Sequence, residues 1–402
     1  MTRIALIGGG QAGAALAIKL RALGHDGPIT LICGEDDFPY QRPPLSKKYL
    51  LGEMTREQLY LRPAQFYLDN DITVIRGRQA TGIDREGRRV LIGDEAVPYD
   101  MLALTTGSSA RRLPEAIGGD LPGVHVVRSL ADVDRMAPEF RPGRRALIVG
   151  GGYIGLEAAA VAAKLGLDVS LVEMTPRILQ RVAAPETADY FRDLHRALGV
   201  GIREGVGMGH LTGGNEILAH FADGTECRAD FVITGIGILP NDRLALEAGL
   251  ACDNGIVVDA RGQTSDPHIW AAGDCARLPY RGQMIRLESV QNAIDQAEAV
   301  AANMLGKGQD YVPKPWFWSD QYDVKLQIAG LNTGYDRVVI RPGANDASRS
   351  HWYFAGDELL AVDAMNDPRN YMIGKRLIEA GRSPDPALVA DPGSDLKALL
   401  QP

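Results

Sequence analysis

The chain is poor in cysteine, with four in 402 residues (Cys33, Cys227, Cys252 and Cys275). They lie far apart and form no CxxC, which argues against a disulfide framework or a cysteine-built metal site and suits a reducing compartment. The seven histidines show no HExxH or other ligand spacing, so no metal is expected. Long apolar runs are missing too, since none approaches the roughly 20 residues that span a bilayer. A formal charge of −8 argues against nucleic acid as a partner. The first strand starts at Arg3, which leaves no room for a signal or transit peptide, so a cytoplasmic, membrane-free protein is expected. What is abundant is ordinary globular material, 45% hydrophobic and 23% charged. The length is too great for one core and suits two or three domains.

One stretch organises the rest. An apolar run at 146–149 reads as a buried parallel strand, and Gly150, Gly152 and Gly155 then supply GxGxxG before a helix. The first glycine makes a tight turn, the second lets backbone approach a pyrophosphate, and the third lets helix and strand pack closely. The phosphates then meet free N–H groups at the positive end of the helix. The N-terminus repeats the pattern with Gly8, Gly10 and Gly13, with Ala12 inside it and Gly24 matching Gly166 at the helix end. Each copy leads to a second strand followed by an acid, Glu35 after 29–33 and Glu173 after 169–172. An acid there accepts hydrogen bonds from both hydroxyls of an adenosine ribose. Two complete units mean two dinucleotides.

Between these units lies FPYQRPPLSK (38–47), where Pro43 and Pro44 restrict the backbone before a helix expected near Ser46. Its placement would carry Arg42 and Lys47 along the first cofactor. Local sequence alone favours a proline-bounded surface turn with solvated charges. Strands are expected at 72–75 and 88–92. The run YDMLALTTG (99–107), with Thr106 just before its glycine turn, should return the chain to the first sheet. After the second unit, DFVITG (230–235) leads into the turn GIGILP, which contains Gly237. A short strand at 269–272 delivers Gly273 and Asp274 to its C-terminal end, where open parallel sheets bind ligands. Asp274 there can accept a hydrogen bond from a polyol chain or cap the next helix. RLESVQN (286–292) opens a long helix through Met304 whose N-terminus offers a positive dipole end. The remainder, 311–402, reads as strands at 324–328, 337–340, 352–354 and 359–362, introduced by the aromatic cluster Trp316, Phe317 and Trp318, then a helix from Asn370 to about residue 380.

The layout resembles the two-dinucleotide flavoproteins of the disulfide-reductase superfamily. Within it, RPPLSK (42–47), GGGYIGLE (150–157), AGDCA (272–276) and PWFWSDQ (315–321) resemble the putidaredoxin reductase-like, oxygenase-coupled ferredoxin reductases. The resemblance implies an α/β fold of two Rossmann-like domains, of the glutathione-reductase type, plus a C-terminal α+β domain. The expected domains are 1–109 with 236–309 for FAD, 110–235 for NAD, and 310–402 as an interface domain.

The resemblance also implies residue roles. Gly8, Gly10, Ala12, Gly13, Glu35, Arg42, Lys47, Ala80, Thr106, Arg128, Asp274, Val290 and Trp318 would hold FAD. Gly150, Gly152, Tyr153, Ile154, Gly155, Glu173 and Gly237 would hold NADH. Lys47 and Glu157 would form an ion pair beside flavin N5 that joins the FAD and NAD domains. Tyr153 would cover the flavin face and swing aside for nicotinamide, with Trp318 near the ring. Disulfide reductases of the superfamily carry a CxxxxC pair where this chain has residues 39–45, and related peroxide reductases a single cysteine; this chain has neither. Cys33 lies on the adenosine side. Electrons must therefore leave to an external acceptor, and a two-iron two-sulfur ferredoxin feeding an oxygenase such as a haem monooxygenase is expected. Rubredoxin, a quinone or radical acceptor, or a redox-sensing role are the alternatives. A monomer or weak dimer is expected.

Glu173 stands where a 2′-phosphate would have to sit, with Arg177 and Arg181 within eight residues. NADH should be preferred over NADPH by at least tenfold in kcat/KM, or about 1.4 kcal/mol. Steady-state kinetics with both nucleotides check this, and equal use of NADPH would remove Glu173 from the ribose site.

Overall fold

The computed structural model describes residues 1–214, 216–345 and 347–400. The apolar run IALI forms the strand Ile4–Ile7, buried at every position because parallel neighbours flank it and both sheet faces are covered. The sheet order is Ile269–Ala271, Met101–Leu104, Ile4–Ile7, Ile29–Ile32, Ile72–Ile75, all parallel. One face packs on the helices Gln11–Ala22 and Val290–Met304 through Leu16, Leu20, Ala297 and Val300. The other face meets Val90, Ile92 and Leu278 from two smaller sheets, together with Tyr99.

The same construction recurs around Arg145–Val149. Its sheet runs Gly201–Glu204, Asp168–Glu173, Arg145–Val149, Phe231–Thr234, Val124–Val126, again all parallel. The helix Tyr153–Lys164 is buried from Gly155 through Ala162, which its run of small residues permits. An antiparallel sheet follows, ordered Trp316–Gln321, Val324–Gly330, Glu358–Met365, Arg349–Ala355, Arg337–Pro342. The helix Pro368–Glu379 sets Ile373 and Leu377 into one cluster with Trp352 and Val362.

The chain forms two compact units. The first contains Met1–Arg42, Thr55–Ser109 and Ile238–Pro315; the second contains Pro43–Met54, Ala110–Gly237 and the described residues from Trp316 on. This differs from the expected partition in two respects. The segment Pro43–Met54 leaves the first nucleotide sheet's unit, and the C-terminal sheet shares a unit with the second nucleotide sheet. Locally, Pro43–Ser46 is a single 3-10 turn that runs on into further turns rather than the start of a helix. The helix expected from Arg286 begins at Val290, where Ser289 caps it by accepting from Asn292 N–H at 3.2 Å. Trp316–Gln321 is itself a strand.

Within the second unit the helix Pro185–Ala197 is tied to the antiparallel sheet by a buried polar cluster. Thr187 Oγ1 donates to Asp363 Oδ2 at 2.8 Å, and the Tyr353 hydroxyl donates to the same oxygen. With the Thr187 proton so used, His351 Nδ1–H donates to Thr187 Oγ1 at 2.8 Å. Burial pushes the Asp363 carboxyl up to about 6, against the pull of these hydrogen bonds. A carboxyl raised from 3.8 to about 6 favours the fold while protonated, and that contribution is lost as pH rises through the folded value. The loss is on the order of 3 kcal/mol. Asp363→Asn keeps an acceptor for both donors without the charge. Its stability advantage over the parent in urea unfolding should grow from pH 4.5 to pH 7 and then level off. A difference that stays constant over about pH 4.5 to pH 8 would mean the carboxyl is not titrating in the fold.

Candidate active site

The two glycine loops exclude a side chain at corresponding positions. Gly8 and Gly150 have φ of +119° and +107°, and a Cβ there would lie 2.1 Å from Thr105 O and 2.4 Å from Gly235 O. At Gly13 and Gly155 a Cβ would lie 2.0 Å from Gly8 O and Gly150 O, so helix and strand touch through these positions. Between them the space opens. A Cβ on Gly10 would meet no atom within 4 Å, and one on Gly152 only Gly235 O at 4.0 Å. Crowding on both sides of an open position at a helix N-terminus is the shape a pyrophosphate fits, so both loops suit a dinucleotide.

The acids that follow are held differently. Glu35 accepts from Arg42 Nη2 at 2.6 Å and from the Tyr40 hydroxyl at 2.5 Å. Glu173 accepts from three neutral donors: Gly151 N–H at 2.6 Å and the N–H and hydroxyl of Thr175, each at 2.7 Å. The second acid is thus fastened to its own glycine loop. In the first unit Ser108 Oγ donates to Asp274 Oδ2 at 2.7 Å, and a Cβ on Gly273 would lie 3.0 Å from that of Ala12. The aspartate turn therefore adjoins the first loop. Asp274 also contributes to the field at Arg42. Thr106 commits its hydroxyl to Asn241 O at 2.6 Å, and Ala80 packs on the core cluster that contains Val90 and Tyr99. Val290 is the first residue of its helix.

Three residues expected to serve FAD (Lys47, Arg128 and Trp318) are built into the second unit. There Lys47 Nζ lies 2.8 Å from Glu157 Oε2, so the expected ion pair forms, but within one unit instead of joining two. Glu157 is 2% exposed, on a helix otherwise buried through small and apolar side chains. Its carboxylate is shared among three donors: Lys47 and Ser46 Oγ (2.6 Å) on Oε2, and Ser319 Oγ (2.8 Å) on Oε1.

Ser319 reaches Glu157 because strand and helix advance in step. Four residues of helix rise about 6 Å and two of strand about 6.7 Å. Phe317 therefore packs on Tyr153, with ring centroids 5.0 Å apart, and Ser319 bonds Glu157. Trp318, on the opposite strand face, packs with Trp316 at 5.6 Å. The Tyr153 hydroxyl is buried without a hydrogen-bond partner, and burial, helped by Asp363, pushes it well above the ordinary phenol range. Ile154 presents its side chain to solvent, and a Cβ on Gly237 would lie 3.6 Å from Arg181 Nη1.

Ser46, Ser319, Ser108 and Tyr40 were not expected. Ser46 adjoins Lys47 in RPPLSK, and the alternation in PWFWSDQ could have placed Ser319 with Phe317 on one face. Two of the four thiols, Cys33 and Cys275, are buried and unsuited to redox work. Burial pushes Cys33 up to about 12, and Cys275 is fully buried and raised by the same cause. No helix among the described residues is long and apolar enough to cross a membrane, and among them no group of three His, Cys, Asp or Glu side chains can hold a metal ion.

Comparison with known proteins agrees with this fold. Residues 2–297 match the family model described as pyridine nucleotide-disulphide oxidoreductase, and 316–400 match the one described as reductase C-terminal. Rhodocoxin reductase of Rhodococcus erythropolis is 42% identical, over 99% of this chain and 94% of its own. Putidaredoxin reductase of Pseudomonas putida is 40% identical, over 99% and 96%. The solved covalent putidaredoxin reductase–putidaredoxin complex superposes with a TM-score of 0.96 at 39% identity, covering 99% of this chain and 98% of the other.

If Asp274 belongs with the first loop and Glu173 with the second, the two acids should separate in a flavin assay. Asp274→Ala should purify with less FAD per chain, whereas Glu173→Ala should keep its flavin and bind NADH more weakly. Absorbance of the purified variants measures both, and full flavin occupancy in each would contradict the division.

Proposed function

Because the chain belongs to the pyridine nucleotide-disulphide oxidoreductase family, we propose that it is an FAD-dependent, NADH-oxidising ferredoxin reductase serving an oxygenase system. One observation carries the reading: two dinucleotide loops occur in a chain whose deepest thiols are buried with raised pKa, so electrons have no protein disulfide to enter. FAD, when bound, accepts a hydride and returns electrons singly. A relative solved in complex with putidaredoxin supports a ferredoxin as acceptor, here proposed to carry a two-iron two-sulfur cluster. We place the protein in the cytoplasm as a monomer or weak dimer.

The chain's own residues divide the work. Gly8, Gly10, Ala12 and Gly13 receive the FAD pyrophosphate, Glu35 its ribose, and Arg42, Ala80, Thr106, Arg128, Asp274 and Val290 the rest of the cofactor. Gly150, Gly152, Ile154, Gly155, Glu173 and Gly237 receive NADH. Tyr153 and Trp318 supply apolar surface for the reacting rings. Lys47, held by Glu157, keeps a cation where negative charge develops during hydride transfer.

A panel of purified ferredoxins assayed for NADH-dependent reduction tests the assignment. At least one two-iron two-sulfur protein should be reduced at a rate matching NADH oxidation, whereas consumption that proceeds only with quinones or oxygen would overturn it. For the ion pair, Lys47→Ala should slow NADH-dependent flavin bleaching on the order of 10²-fold while barely changing NADH affinity. Glu157→Ala should resemble it. The double variant should be little slower than either alone, because both changes remove one interaction. Strict additivity in stopped-flow traces would mean the residues act separately.

A further inference from the structure

Glu157 stands at the end of a longer buried chain. Ser319 Oγ donates to Glu157 Oε1 at 2.8 Å; Gln321 Nε2 lies 3.2 Å from Ser319 Oγ; Gln321 Oε1 lies 2.9 Å from His195 Nε2; and His195 Nδ1 lies 3.1 Å from the Tyr322 hydroxyl. Ser319, Gln321 and His195 are each 0% exposed. The direction of every bond follows from the first. A carboxylate beside Lys47 only accepts, so Ser319 spends its proton on Glu157 and must itself accept from Gln321. Only the amide nitrogen can donate there, which turns the amide oxygen toward His195. His195 must then carry its proton on Nε2 and leave Nδ1 bare for the Tyr322 O–H. Four donors thus point one way, toward the carboxylate, and each bond polarises the next.

We propose that Ser319, Gln321 and His195 are positioning residues for hydride transfer: a one-way donor chain from the helix Pro185–Ala197 through the strand Trp316–Gln321 that fixes Glu157 Oε1 and so leaves Oε2 to Lys47 and Ser46. The chain is not a proton path, since the Gln321 amide has no acidic proton to hand on. Its function is orientation. Without Ser319 the carboxylate has one oxygen unbonded in a dry site and can rotate away from Lys47. Burial lowers the His195 imidazole to about 4, in keeping with a neutral ring.

The inference rests on the proposed roles of Lys47 and Glu157, so its test has two arms. The first needs no turnover. Long-range proton–nitrogen correlation spectra of histidine-labelled holoenzyme should show one ring, identified by its loss in His195→Asn, fixed as the Nε2–H tautomer from about pH 5.5 to pH 8. An Nδ1–H tautomer, or titration in that range, would overturn the chain whatever the enzyme does. The second arm follows flavin bleaching by NADH. Ser319→Ala should lower the limiting rate about tenfold and leave NADH affinity unchanged. Ser319→Thr should restore most of that rate. Gln321→Met, which keeps volume and removes the amide, should fall between them. In a Glu157→Ala background Ser319→Ala should do nothing further. A loss of equal size in that background, or one confined to thermal stability or NADH affinity, would show that Ser319 does not act through Glu157. Absence of any NADH-dependent bleaching in the parent would instead refute the proposed function, with the tautomer still deciding the chain.

Discussion

An ionised carboxylate inside a dry protein costs several kcal/mol unless charge and hydrogen bonds compensate it. Glu157 imposes that requirement on the second unit. Its helix is otherwise built of alanine, leucine, valine and glycine through the buried stretch, so no neighbour on the same helix can answer it. The partners come from elsewhere: Lys47 and Ser46 from Pro43–Met54, and Ser319 from the C-terminal sheet. Two of these donors lie on a short proline-bounded segment that belongs to the second unit. Ser46 and Lys47 are consecutive residues at the end of the proline turn, and both donate to one oxygen.

The two glycine loops solve one steric problem twice, yet their acids are dressed differently. Glu35 is neutralised by Arg42, a cation in the field of Asp274 as well. Glu173 is held by three neutral donors from its own loop and from Thr175. In the proposed reading the first loop thus keeps a fixed cation beside its cofactor, and the second presents a rigid, pre-bonded acid to a nucleotide that must leave on every cycle. The contrast is electrostatic, since the backbone exclusions are nearly identical.

What could be read from the chain was what is enforced locally. The crowded and open glycine positions and the acid after each second strand depend on residues within one βαβ unit, and the strand before Asp274 on a short apolar run; each element lies where spacing places it. The pairing of Lys47 with Glu157 came from family resemblance, because nothing local brings together residues so far apart. Alternation along PWFWSDQ puts Ser319 and Gln321 on the face of Phe317 but does not say what that face meets, and His195 on a helix face carries no signal of its own. Only the step match between strand and helix turns them inward. The helix expected at Ser46 is absent: the turn that begins at Pro43 already ends at Ser46.

The second unit is assembled from three stretches separated by the whole of the first unit's remaining sequence. During synthesis Lys47 leaves the ribosome early, Glu157 much later, and Ser319 only after most of the chain is made. At some 5–20 residues per second, the interval from Lys47 to Ser319 is on the order of tens of seconds. From the synthesis of Glu157 until that of Ser319, its helix has an acid without its full set of donors. Vectorial folding therefore leaves this constellation until last, and no contiguous fragment of the gene that stops short of strand Trp316–Gln321 can encode it.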